Sequence, residues 1–172
     1  VMHTSPRPAT RPWIPVVLCG ALAASCGDPP PSPAAPATVA AEPATATSRT
    51  FGDHVVYFNA IRTDSLTPEV ATSYGIVRSA NRVLVNISLA RVSDEPAGTP
   101  VPGAVTVQAA NLNGQLKDLT VREIREGEAV YYIGDVSVAG DETLVFTVDA
   151  IPEGTSTPLT LKFQRQFTGD SL

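Results

Sequence analysis

From Phe51 onward apolar and polar residues alternate with a period of two, and Gly, Pro, Asn and Asp interrupt the alternation at short intervals. A strand turns successive side chains to opposite faces, so such a chain buries one face and wets the other. Val56, Phe58 and Ala60 share a face in 51–62. Val83, Val85, Ile87 and Leu89 share one in 83–92, with Asn86 and Ser88 opposite. Residues 105–112 meet 115–126 across Asn113-Gly114, a dipeptide that suits a two-residue type I′ hairpin because both central residues need positive φ. Glu126-Gly127-Glu128 turns the chain into a strand carrying Val130, Tyr132, Val136 and Val138. Ala139-Gly140-Asp141 turns it into another carrying Leu144, Phe146, Val148 and Ala150. A longer loop runs from Pro152 to Pro158. The last strand then sets Leu159, Leu161, Phe163 and Phe167 against Lys162, Gln164 and Gln166. Within 116–124 Leu119 and Val121 keep phase but Ile124 falls on the other face, so a β-bulge near Arg122-Glu123 is expected. One short helix is expected at 68–74, with Thr67 as N-cap, Pro68 at its first position and Gly75 ending it. About seven strands with antiparallel hairpins predict an immunoglobulin-like antiparallel β-sandwich. A small barrel is the alternative.

The stretch 51–172 contains no cysteine, so this core must hold without disulfides. A chain of this size buries roughly two-thirds of its unfolded surface, which suffices. It carries nine Lys and Arg against fifteen Asp and Glu. That balance argues against nucleic acid and against electrostatic binding to anionic lipid. A monomer is expected.

The N-terminus has a different character. Arg7 and Arg11 lie in a start free of acidic residues, an apolar run extends from Trp13 to Leu22, and Ala23-Ala24-Ser25 leads into Cys26. This is the layout of a secretory signal over 1–25, and it resembles a lipobox with Cys26 as the lipidation site. The run is too short to span a bilayer, which takes ~20 residues. Alternatives are plain secretion after cleavage behind Ser25, or a disulfide between Cys19 and Cys26. Gly27 at the position after the cysteine favours outer over inner membrane in a Gram-negative envelope, facing the periplasm. Residues 26–50 then read as a disordered tether rich in Pro, Ala and Thr, because they hold almost no large apolar group. Residues 27–50 would span about 27 Å as a coil.

No nucleophile elbow, phosphate loop or paired metal-binding histidines occur, and 51–172 holds no cysteine pair. No catalytic residue, metal or cofactor is expected. His54 follows Asp53 and is the one histidine of 51–172. It would be the centre of a weak hydrolase or of a small-ligand or metal site if the chain were one. Asp94-Glu95 and Asp141-Glu142 lie in turns, where Asp serves backbone geometry. The richest candidate binding surface is Tyr74, Arg78, Asn81 and Arg82, where the chain leaves the helix; Tyr57 and Asn59 form a second patch. Arg and Tyr are enriched in binding hot spots.

Several segments resemble a known family. They are Phe51-Gly52-Asp53, Tyr57-Phe58-Asn59-Ala60, Pro68-Glu69-Val70-Ala71, Tyr74-Gly75-Ile76-Val77-Arg78-Ser79, Asn81-Arg82, Asn111-Leu112 with Gly114-Gln115-Leu116, Arg122-Glu123-Ile124-Arg125-Glu126-Gly127 and Tyr131-Tyr132-Ile133. In order over nearly all of 51–168, they resemble the bacterial domain-of-unknown-function family four-four-two-six (DUF4426). The resemblance implies an exported β-sandwich with no assigned activity or catalytic residue, and the lipobox and tether are departures from it. The expected role is a lipid-anchored, non-enzymatic module binding a protein partner in the envelope.

Overall fold

The structure is a computed structural model and describes residues 39–169. The expected signal segment, 1–25, and with it Cys19 and the expected lipidation site Cys26, lie outside the described residues. The strands are β1 (Ala41–Glu42), β2 (Ser48–Phe51), β3 (His54–Arg62), β4 (Arg82–Arg91), β5 (Thr99–Pro100), β6 (Gly103–Asn111), β7 (Leu116–Lys117), β8 (Arg122–Glu126), β9 (Ala129–Ser137), β10 (Glu142–Pro152) and β11 (Leu159–Phe167). A short 3-10 turn, Thr63–Ser65, leads from β3 toward the helix α1 (Pro68–Ser73). One sheet runs β1-β11-β10-β6-β7 and the other β2-β3-β4-β9-β8, with β5 added to β4. Seven strands have five residues or more, matching the expected number; the other four are edge pieces of two to four residues.

The two sheets face each other as an immunoglobulin-like sandwich, and the alternation decides which side chains lie between them. Val56, Phe58 and Ala60 of β3, Val83, Val85, Ile87 and Leu89 of β4, and Leu144, Phe146, Val148 and Ala150 of β10 are all buried. Phe163 of β11 sits at the centre. Its ring stacks on Phe58 at 4.7 Å across the sandwich and on Phe146 at 4.9 Å within its own sheet. Stacked aromatic pairs add to the burial of their area.

Tyr132 also points inward, and its hydroxyl both accepts from the Gly103 N–H and donates to the Gly103 C=O, each at 2.7 Å. It thereby gives both backbone groups of Gly103, at the start of β6, a partner.

Three expectations are corrected. First, 115–126 is not one strand with a bulge. β7 pairs with β6 in one sheet, whereas β8 pairs with β9 in the other, in unbroken register from Arg122↔Ile133 to Glu126↔Ala129. The chain changes sheets between Lys117 and Arg122, and Leu119 and Val121 pack on the core as it crosses. The phase slip marks this crossover. Second, the hairpin loop has three residues, not two. The Gly114 N–H donates to the Asn111 carbonyl at 2.9 Å, the Asn111 N–H donates to the Gln115 carbonyl at 3.0 Å, and Gly114 alone closes the loop at φ 77°. Leu112 and Asn113 are thus the central residues of a turn that Gly114 completes. Third, the domain starts before Phe51. β1 lies parallel to β11 with Ala41 opposite Lys162, and β2 pairs with β3 from Ser48↔Tyr57 to Phe51↔His54. The described part of the expected tether, 39–50, therefore includes two strands.

Candidate functional site

Strand alternation leaves Tyr57, Asn59 and Ile61 of β3, Leu84, Asn86 and Ser88 of β4, and Tyr131, Ile133 and Asp135 of β9 on the outer face of the second sheet. Ile61, Leu84 and Ile133 are apolar where a solvated face calls for polar residues, and Leu84 and Ile133 are buried there. What covers them follows from the local chain. Thr67 caps α1 by accepting the Val70 N–H at 3.3 Å, Pro68 opens the helix, and Gly75 at φ 62° ends it. The helix, as expected over 68–74, lies against this outer face.

Its C-terminal end is latched to β8. The Tyr74 hydroxyl donates to Glu126 Oε1 at 2.6 Å, and Arg122 donates to the Tyr74 carbonyl. Between helix and sheet lies a groove of about 320 Å³, lined by eleven residues. Its apolar lining is Ile61, Leu66, Val70, Leu84, Ile124 and Ile133; its polar groups come from Asn59, Asn86, Tyr74, Tyr131 and Glu126. An apolar cleft with a few polar groups, near the lower end of the range for ligand sites at ~300–1,000 Å³, is the usual form of a binding pocket. The hydrogen bond to Glu126 raises the pKa of the Tyr74 phenol, helped by partial desolvation and by the nearby Glu126 and Tyr131. Asn59 accepts the Ala60 N–H through its side-chain oxygen. Asn86 Oδ1 is buried without a partner.

The six residues of the expected surface are not gathered in one place. Tyr74 and Asn59 line the groove. Tyr57 lies further along β3 and donates to the Ala97 carbonyl at 3.2 Å. Arg78 donates to the Asp64 carbonyl at 2.7 Å and so braces the 3-10 turn. Arg82 pairs with Asp135 across β4 and β9. Asn81 accepts the Val138 N–H on its carbonyl at 2.9 Å. Sequence reasoning missed Ile61, Leu66, Leu84, Ile124 and Ile133. For Ile61, Leu84, Ile124 and Ile133 the signal was an apolar side chain in the outward phase of a strand; Leu66 lies between the 3-10 turn and α1 and carried no such signal.

His54 is elsewhere. Its ring is buried at 5% exposure, Nδ1 lies 2.8 Å from Asp53 Oδ1, and Nε2 is enclosed without a partner. It does not line the groove. Among the described residues no three His, Cys, Asp or Glu side chains come together as a metal site, and no helix is long and apolar enough to cross a membrane.

A model of the domain-of-unknown-function family DUF4426 matches residues 48–170. The chain belongs to the DUF4426 family. A DUF4426 family protein from Pseudomonas aeruginosa PAO1 shares 30% identity with it at a TM-score of 0.60, over 72% of this chain and 95% of that one. FetP from uropathogenic Escherichia coli strain F11, recombinantly expressed in the periplasm, gives a TM-score of 0.51 at 13% identity, over 76% and 95% of the two chains. A copper-bound variant of that FetP gives 0.50 at 13%, over 71% and 94%. At that identity FetP shares the fold alone with the DUF4426 chain. No curated protein matches it. The matched span of the DUF4426 domain starts at β2 and so agrees with the earlier domain start seen in the sheet pairing.

Proposed function

We propose that this DUF4426 chain is a non-enzymatic binding module held to the envelope by lipid on Cys26, facing the periplasm, and that it binds its partner in the groove under α1. The observation that carries the reading is the groove itself: six apolar residues converge with two tyrosines, two asparagines and one carboxylate on the outside of a sheet. That composition offers contact area and a few directional bonds, and its one hydroxyl–carboxylate pair, Tyr74 with Glu126, serves to latch the helix to β8. The periplasmic expression of FetP, a protein of the same fold, supports an envelope location.

A photo-reactive amino acid at Val70, which is 40% exposed on the groove wall, tests the surface in living cells. Val70 should cross-link to a discrete envelope protein, while the same group at Leu112, 70% exposed on the far hairpin, should not. Equal labelling at both positions would show that the groove is not selective. The anchor is tested separately. Cys26→Ala should move the protein from the membrane to the soluble fraction on centrifugation, because acyl chains contribute about 0.8 kcal/mol per buried methylene. Unchanged membrane association would remove the lipid.

A further inference from the structure

Glu126 is the only ionisable carboxylate lining the groove. It accepts the Tyr74 hydroxyl at 2.6 Å and makes no ion pair among the described residues. The arginines of its own strand are engaged elsewhere: Arg122 on the Tyr74 carbonyl, and Arg125 on Glu123 at 2.6 Å. Tyr74 and Tyr131 flank the same opening, and next to them the lining is aliphatic. A carboxylate beside two electron-rich rings attracts a cation, and rings hold ammonium and guanidinium groups over their faces. A hydrocarbon stem in turn suits an aliphatic channel, as the long stems of Lys and Arg lie along apolar surface while the charged head stays at the rim. The charge balance of 51–172, nine basic against fifteen acidic residues, favours a basic partner as well.

We propose that the groove takes a lysine or arginine side chain from a basic segment of a partner protein, with its stem along Val70, Ile124 and Ile133 and its charged head among Glu126, Tyr74 and Tyr131. This rests on the groove being the binding surface.

The probe is the peptide acetyl-Ala-Ala-Lys-Ala-Ala-amide, titrated into the mature full-length protein in neutral detergent and followed by NMR. Its neutral counterpart carries norleucine in place of lysine. The lysine peptide should shift the resonances of Tyr74, Ile124 and Tyr131. Glu126→Gln should weaken it roughly three- to tenfold, because Gln still accepts the Tyr74 hydroxyl and keeps the latch while removing the charge. Glu153→Gln, which removes the same charge outside the groove, should leave binding unchanged. Equal binding of the norleucine peptide, or equal loss in both glutamine variants, overturns the cation site. If neither peptide shifts the groove while Val70 still cross-links a partner, the cation site fails and the groove survives. If Val70 cross-linking fails too, both readings fall.

Discussion

Phe163→Ala should lower the unfolding free energy of the domain by about 3–5 kcal/mol, the range for truncating a buried aromatic. The ring is wholly buried and is the shared member of two stacked pairs, with Phe58 and with Phe146. Truncation loses both stacks as well as the transfer energy and leaves a void at the meeting point of the two sheets. Arg165, whose guanidinium lies 5.3 Å over the same ring, loses its platform too; burial already lowers its pKa. A domain of this size should then melt roughly 10–20 °C lower. Thermal unfolding followed by circular dichroism, with a denaturant titration, measures it. A loss under about 1 kcal/mol would mean that the core collapses around the gap far more readily than cores usually do.

The second large effect should come from one added methyl group. A Cβ on Gly103 would stand 2.5 Å from the Ile151 carbonyl oxygen and 2.8 Å from Leu89 Cδ1. The first is backbone of the neighbouring strand, for Gly103 pairs with Pro152 at the end of β10, so it cannot rotate aside. Gly103→Ala must push β6 away from β10 and with it the N–H and C=O held by Tyr132. Overpacking costs about 1–3 kcal/mol, and breaking the hydroxyl bonds of a buried tyrosine adds about 1–3 kcal/mol. Gly114→Ala is the comparison. Nothing lies within 4 Å of a Cβ there, and the site only requires φ 77°. Its cost should stay near the ~1–2 kcal/mol of a left-handed residue. The idea fails if the two alanine variants have equal midpoints in guanidinium chloride.

Strand alternation made the interior of the sandwich legible. It placed Val56, Phe58, Leu144, Phe146 and Phe163 inside, and those are the residues the sheets enclose. It could not show the sheet change between Lys117 and Arg122. Leu119 and Val121 keep an inward phase because both sheets share one core, and a period of two does not say which sheet a residue belongs to. β1 and β2 were invisible for another reason. They are edge pieces in a stretch of small residues, and distant partners define them: Lys162 and Phe163 for β1, Val55 to Tyr57 among others for β2. The helix was legible from Thr67, Pro68 and Gly75, whose roles are local. The groove it helps form was only half so. Tyr74 and Asn59 stood out as residue types, but Leu84, Ile124 and Ile133 count only once the outward phase of three strands is set side by side. Arg78 and Arg82 had the right chemistry for a binding surface, yet each is committed to holding the fold.

The first strand of the sandwich has a mechanical consequence. β1 holds only Lys162 and Phe163, reinforced by the 2.9 Å bridge between Arg49 and Glu42 and by Arg165 on the Ala46 carbonyl. If lipid on Cys26 moors the domain, as proposed, a pull on it reaches this two-residue pair first among the described residues, before β2 and the long strands. Peeling 41–47 from β11 would release roughly 23 Å of chain at ~3.3 Å per residue and leave the stacked phenylalanines untouched. β1 would then act as a slack reserve: its loss lengthens the leash, and the domain at its end stays folded.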